Sequence, residues 1–110
     1  MPAYIIKLAD RYLEYSTICD APITVGMTRD EFRAYYVEKY GTSSERDMDG
    51  RLERTDAKGT SSRIHNSVAD VICYNRAGKN ETRLTLDQIV DFYVTRRGEG
   101  PEPVGEKIRP

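Results

Sequence analysis

The chain contains no tryptophan, one histidine (His65), two phenylalanines and two cysteines among 110 residues. Each shortage excludes a class of function. One histidine and two cysteines do not fill a structural zinc tetrahedron without help from an acid. Any histidine-dependent mechanism must use His65. If residues 62–75 are helical, Cys73 lies about 12 Å from it along the axis. Ser61 comes within reach at i, i+4, but no acid is evident to orient the ring as a triad requires. The two cysteines are too few for a disulfide framework. Both follow an isoleucine (Ile18-Cys19 and Ile72-Cys73), so they are expected as free, buried thiols.

Other absences are equally informative. No apolar run approaches the roughly 18 residues of a membrane span, and no basic-then-apolar leader is present. A soluble, cytoplasmic setting without membrane attachment is therefore expected. Glycines do not pair with a lysine in a loop–helix context, which removes the common phosphate cradle. Charge of one sign is also missing: 17 basic and 18 acidic residues give a net charge of -1, unlike a non-specific DNA binder. No metal, cofactor or catalytic constellation is implied, and the chain reads as non-enzymatic.

Tyrosine is what the sequence has in excess: eight of its ten aromatic residues. A large ring with a polar tip suits a surface that is dry on one side and hydrogen-bonded on the other. Tyr12, Tyr15, Tyr40 and Tyr74 are the candidates for an exposed cluster that engages a partner, with Asp20 as a loop acid beside them. Lys79, Arg83, Arg96 and Arg97 form a possible basic patch near the end of the last helix.

Two segments share one local pattern. Met27-Thr28-Arg29-Asp30-Glu31-Phe32 and Leu84-Thr85-Leu86-Asp87-Gln88-Ile89 each place threonine three residues before Glu or Gln, a capping box. Each also has apolar residues positioned as a hydrophobic staple. The first helix runs to Gly41 and the second, through Arg96-Arg97, to Gly98, where glycine suits the left-handed exit. The likeness also admits an internal duplication, with Ile18-Cys19 matching Ile72-Cys73, although capping rules alone generate most of the shared letters.

Residues 3–19 read as a β-hairpin, Tyr4 to Leu8 and Tyr12 to Ile18 around Ala9-Asp10-Arg11, since Ile, Thr and Tyr favour strands and Asp favours turns. The three-and-four spacing of Ile5, Leu8, Tyr12, Tyr15 and Cys19 offers a helical alternative. A third helix is expected from Ser61 or Ser62 through Ile64, Val68, Val71 and Ile72 to near Gly78. Residues 45–63 carry five positive and five negative charges. They read as a solvated helix with pairs such as Asp47 to Arg51. Glu45 to Asp56 also resembles an EF-hand calcium loop, with acids at its first, third, fifth, ninth and twelfth positions and glycine at the sixth. It departs from that pattern in starting with Glu, ending with Asp and enclosing three arginines.

The expected architecture is a single α+β domain over residues 1–97, an N-terminal β-hairpin packed with three or four short helices. A Gly- and Pro-rich flexible tail follows over 98–110. The alternative is an all-α pair of helix-loop-helix units. The favoured functional expectation is a small protein-binding module, of the size of the accessory or inhibitor proteins of phages and mobile elements. Homodimerisation through the tyrosines is compatible with it. The alternative function is binding of nucleic acid or a nucleotide-like ligand through tyrosine stacking and arginines.

Overall fold

The computed structural model describes residues 3–42 and 45–107. β1 (Ala3–Leu8) and β2 (Arg11–Ser16) form an antiparallel hairpin, and β3 (Ala21–Pro22) adds a short third strand beside β2. Ala9 and Asp10 make the two-residue turn at φ 48° and 60°. That left-handed pair matches the natural twist of the strands it joins. The all-helical alternative is thereby overturned: β-branched and aromatic preference, with a turn-forming Asp10, outweighs the coincidental helical spacing.

The register pairs Ile5 with Glu14 and Lys7 with Tyr12, and it pairs Tyr4 with Tyr15 and Ile6 with Leu13. Strand pleating sends these two sets to opposite faces. α1 (Arg29–Tyr40) and α2 (Glu45–Lys58) cover the first face, enclosing Ile5, Tyr12, Phe32, Tyr36, Met48 and Leu52. The second face is covered by α3 (Val68–Ile72) and α4 (Leu86–Ile89), which continues as a wider π-type helix over Val90–Thr95. There Ile6, Leu8, Leu13 and Tyr15 meet Val71, Ile72, Leu84 and Ile89. The sheet is thus the middle of three layers.

Both flanks of the hairpin are occupied. Lys7 N–H donates to Gly59 O at 2.9 Å and Ser61 N–H to Ile5 O at 2.9 Å along β1. On β2, Tyr12 and Met27 exchange both backbone hydrogen bonds at 2.7 and 3.0 Å, and Ile23 N–H donates to Glu14 O. Little strand edge remains for pairing with another chain.

Both expected capping boxes are present. Thr28 and Thr85 accept from the N–H groups of Glu31 and Gln88, whose side chains reach back to the threonine backbones. Gly41 ends α1 at φ 90°, its N–H donating to Val37 O. Asp47 and Arg51 pair at 2.6 Å on α2 as expected.

Several expectations are corrected. Glu45 to Asp56 is helical, so it cannot wrap a calcium ion as an EF-hand loop does. Helix α3 starts at its Ser67 cap and not at Ser61 or Ser62. Ser61 Oγ instead accepts from Ile5 N–H across the sheet edge, and Ser62 Oγ holds the turn at Ile64 and His65. Cys19 and Cys73 are free but exposed, each at the margin of an element and not under it. The duplication does not extend upstream, because residues 12–16 form a strand and 68–72 a helix. Within the expected tail, Lys79 N–H donates to Pro103 O, and Arg83 and Glu106 exchange backbone bonds at 2.8 and 2.9 Å. Gly105 allows this approach: a Cβ there would stand 2.0 Å from Arg83 O. Residues 108–110 lie outside the described residues. No helix among the described residues is long and apolar enough to cross a membrane.

Candidate functional site

Most tyrosines are inside. Tyr12 and Tyr15, expected at the surface, are buried on opposite faces of β2. The reason is local: β2 is the central strand, and every residue from Tyr12 to Ser16 is covered. Neither contributes to an exposed cluster.

On the α1–α2 face the tyrosine hydroxyls serve two carboxylates. Glu14, 1% exposed, accepts from the hydroxyls of Tyr35 and Tyr40 and from Lys39 Nζ at 2.9 Å. Burial raises its pKa, but the Tyr35, Tyr40 and Lys39 donors more than reverse this and leave it below the usual carboxylate value. Burial, with Glu14 alongside, pushes the Tyr40 phenol up to about 12. Near the hairpin turn, Asp56 accepts from the Tyr12 hydroxyl, from Lys7 Nζ at 3.3 Å and from Arg29 at 2.6 Å. Every donor there meets a carboxylate, so these are satisfied structural networks. Tyr40, expected to face a partner, is half-buried in the first of them.

The second face uses one amide. Asn75, fully buried, donates through Nδ2 to Ile72 O and Leu84 O and accepts at Oδ1 from Ala77 and Leu84 N–H, all within 3.2 Å. It fixes the turn that carries residues 73–76.

That turn carries the one fully presented tyrosine. Tyr74 is 76% exposed, and Ile18 on the β2–β3 loop is equally exposed. The two loops are locked together, because Arg76 N–H donates to Asp20 O at 2.7 Å. Ser16 Oγ braces the Ile18 side by accepting from Ile18 and Cys19 N–H, both at 3.2 Å. Asp20 takes φ 55°, a left-handed value that aspartate tolerates better than most residues. Two cavities take residues from the same turn, though Tyr74 itself lines neither. Cys73 lines a cavity of about 280 Å³ with Leu84, Leu86 and Arg83. Arg76 lines another of about 520 Å³ with Ile18, Cys19, Tyr93 and Glu102. Of the expected partner-binding residues, Asp20 and Tyr74 stand on the two joined loops, Asp20 half-buried and Tyr74 exposed. Ile18 was missed, since an isolated isoleucine in a strand pattern gives no sign that it overhangs a turn.

The four residues of the expected basic patch differ in their contacts. Arg83 pairs with Glu106 at 3.0 Å and Arg96 with Asp91 at 3.1 Å. Arg97 donates to Gly26 O at 2.6 Å, beside the start of α1. Lys79 is exposed at the tight turn Lys79–Glu81. The three arginines are each committed to a different contact.

His65 is half-buried and contacts Ser62, not Ser61: Oγ and Nδ1 lie 2.7 Å apart. Two backbone N–H groups already donate to that Oγ, at 3.3 and 3.2 Å. With both N–H groups on its oxygen, the hydroxyl has its proton left to donate toward Nδ1. Ser62 acts as a turn-holding hydroxyl in this arrangement. Among the described residues, no group of three or more His, Cys, Asp or Glu side chains is placed to hold a metal ion. No protein-family model, curated protein or solved structure matches this chain.

Proposed function

We propose that the protein is a non-enzymatic protein-binding module and that its docking surface is the ridge formed by Tyr74 and Ile18. The observation that carries this reading is the pairing of exposure with rigidity. Two large apolar side chains, each 76% exposed, stand on loops joined by the Arg76–Asp20 backbone bond. Protein interfaces concentrate their binding energy in such preorganised aromatic anchors, and tyrosine is among the most effective. The cavities lined by Cys73 and by Ile18 and Arg76 give a partner's side chains somewhere to insert. With little strand edge open, recognition proceeds through side chains and not by strand addition. The two exposed thiols fit a reducing, cytoplasmic setting, and the chain's size suits an accessory or inhibitor role.

The test compares immobilised wild-type protein with the double variant Ile18→Ser, Tyr74→Ala in nuclease-treated lysate. The reading expects one stoichiometric protein captured by wild type and lost from the variant at unchanged melting temperature. Equal capture by both would place the interface elsewhere. Sedimentation of the same two proteins separates a second copy of this chain from a different partner.

A further inference from the structure

We propose that a separate cavity, between the start of β1, residues 61–64 and α2, binds a phosphate group carried by a small organic ligand. The cavity holds about 250 Å³ and is lined by Tyr4, Arg51, Arg54, Ser61, Arg63 and Ile64. Three arginines line it. Arg51 is held by its Nε on Asp47 at 2.6 Å, and Arg54 by its Nε on Ser61 O at 3.0 Å. Each bond aims the side chain, and its two terminal nitrogens have no partner among the described residues. Arg63 has no hydrogen bond or ion pair among the described residues, and it is exposed.

The charge balance is uneven. Among the described residues, Asp47 is the one carboxylate ion-paired to this group, and its side chain is 65% exposed while that of Arg51 is 20% exposed. Three cations sharing one concavity repel one another, and the repulsion is relieved by an anion. Guanidinium forks match the oxygens of a tetrahedral phosphate, which offers more acceptor sites than a carboxylate. The Ser61 hydroxyl accepts from Ile5 N–H at 2.9 Å and keeps its own proton to donate.

The remainder of the lining addresses what the phosphate is attached to. Tyr4 is half-buried, with its ring edge-on to His65 at 5.5 Å between centroids. Ile64 is 80% exposed at the rim. Together they offer an apolar wall beside the cationic floor, which suits a phosphate monoester with a flat or apolar substituent. Nothing here depends on the Tyr74 ridge.

The test follows backbone amide resonances of the whole chain during titration with inorganic phosphate and, separately, with phenyl phosphate. Shifts centred on residues 51–65, with phenyl phosphate the tighter ligand, are expected. Arg63→Gln, at an exposed position, should weaken binding by about tenfold, and Tyr4→Leu should remove the preference for the ester. Equal affinity for both probes supports a free-phosphate site at the same arginines. The proposal is overturned if neither probe shifts these resonances at millimolar concentration, or if Arg63→Gln changes nothing. Binding of a single-stranded oligonucleotide without either small probe would also overturn it. Tyr74→Ala should leave phosphate binding intact, so its outcome is separable from that of the docking ridge.

Discussion

The two faces of the central sheet solve the same packing problem with different chemistry. Toward α1 and α2, aromatic rings fill the space and their hydroxyls end on carboxylates: Tyr35 and Tyr40 on the buried Glu14, Tyr12 on the exposed Asp56. Toward α3 and α4 the filling is mainly aliphatic around Tyr15, and a single neutral amide, Asn75, ties the backbone together. A charged network tolerates partial solvent access at its rim, whereas an aliphatic layer needs its few polar groups fully paired and neutral. The comparison explains the tyrosine excess. Most of the phenols are internal parts, and only Tyr74 is left standing in solvent.

The sharpest way to break the comparison is at its dry face. Asn75→Leu strands Leu84 O and the Ala77 and Leu84 N–H groups in the core, while Ile72 O keeps the backbone N–H of residue 75, and the expected loss is about 3 kcal/mol in chemical denaturation. A loss below about 1 kcal/mol would mean that the amide is dispensable. On the wet face, Glu14→Gln keeps the shape but leaves a phenol or Lys39 facing an NH₂ group, at a cost of about 2 kcal/mol.

Glu14 also sets a pH signature. Its folded pKa lies below the ordinary 4.5. Its stabilisation is therefore complete above that value and is lost as pH falls through the depressed one. Denaturation midpoints of wild type should fall more steeply below about pH 4.5 than those of Glu14→Gln. Parallel curves would show that Glu14 is not the responsible group, and would shift attention to Asp47 and Asp56, whose values are also lowered.

A smaller effect of opposite sign belongs to the hairpin that both faces share. Ala9 and Asp10 sit at φ 48° and 60°. Ala9→Asn with Asp10→Gly removes the strain of a left-handed pair and should add about 1 kcal/mol, read as a rise in melting temperature. The smallest effect is expected at the ridge, where Tyr74→Ala should change stability by less than about 0.5 kcal/mol while abolishing partner capture.

Local rules made part of this architecture legible. Thr28 with Glu31 and Thr85 with Gln88 announce their helices because a capping box is a contact within four residues. The Asp47–Arg51 helix is readable for the same reason. Tyr12 and Tyr15 were misplaced because β2 is sandwiched. Its residues alternate between two buried faces, so Arg11-Tyr12-Leu13-Glu14-Tyr15-Ser16 shows no polar-out period to read. Glu14 looks like a solvent-facing residue until Lys39 and two phenols from α1 close over it. Asn75 gives no advance sign, since its partners at 72, 77 and 84 are joined only by the fold. The arginine cavity escaped notice because Arg51 and Arg54 belong to a helix, while Arg63 arrives from the loop that covers β1.

The central claim is that tyrosine hydroxyls on the α1–α2 face are structural and that Tyr74 is not. Chemical denaturation of Tyr35→Phe, Tyr40→Phe beside Tyr74→Phe tests it most directly, since only hydroxyl groups are removed. The double variant should lose about 3 kcal/mol, because both hydroxyls donate to a charged acceptor, and Tyr74→Phe should lose less than about 0.5 kcal/mol. Equal, small losses in both would contradict the account.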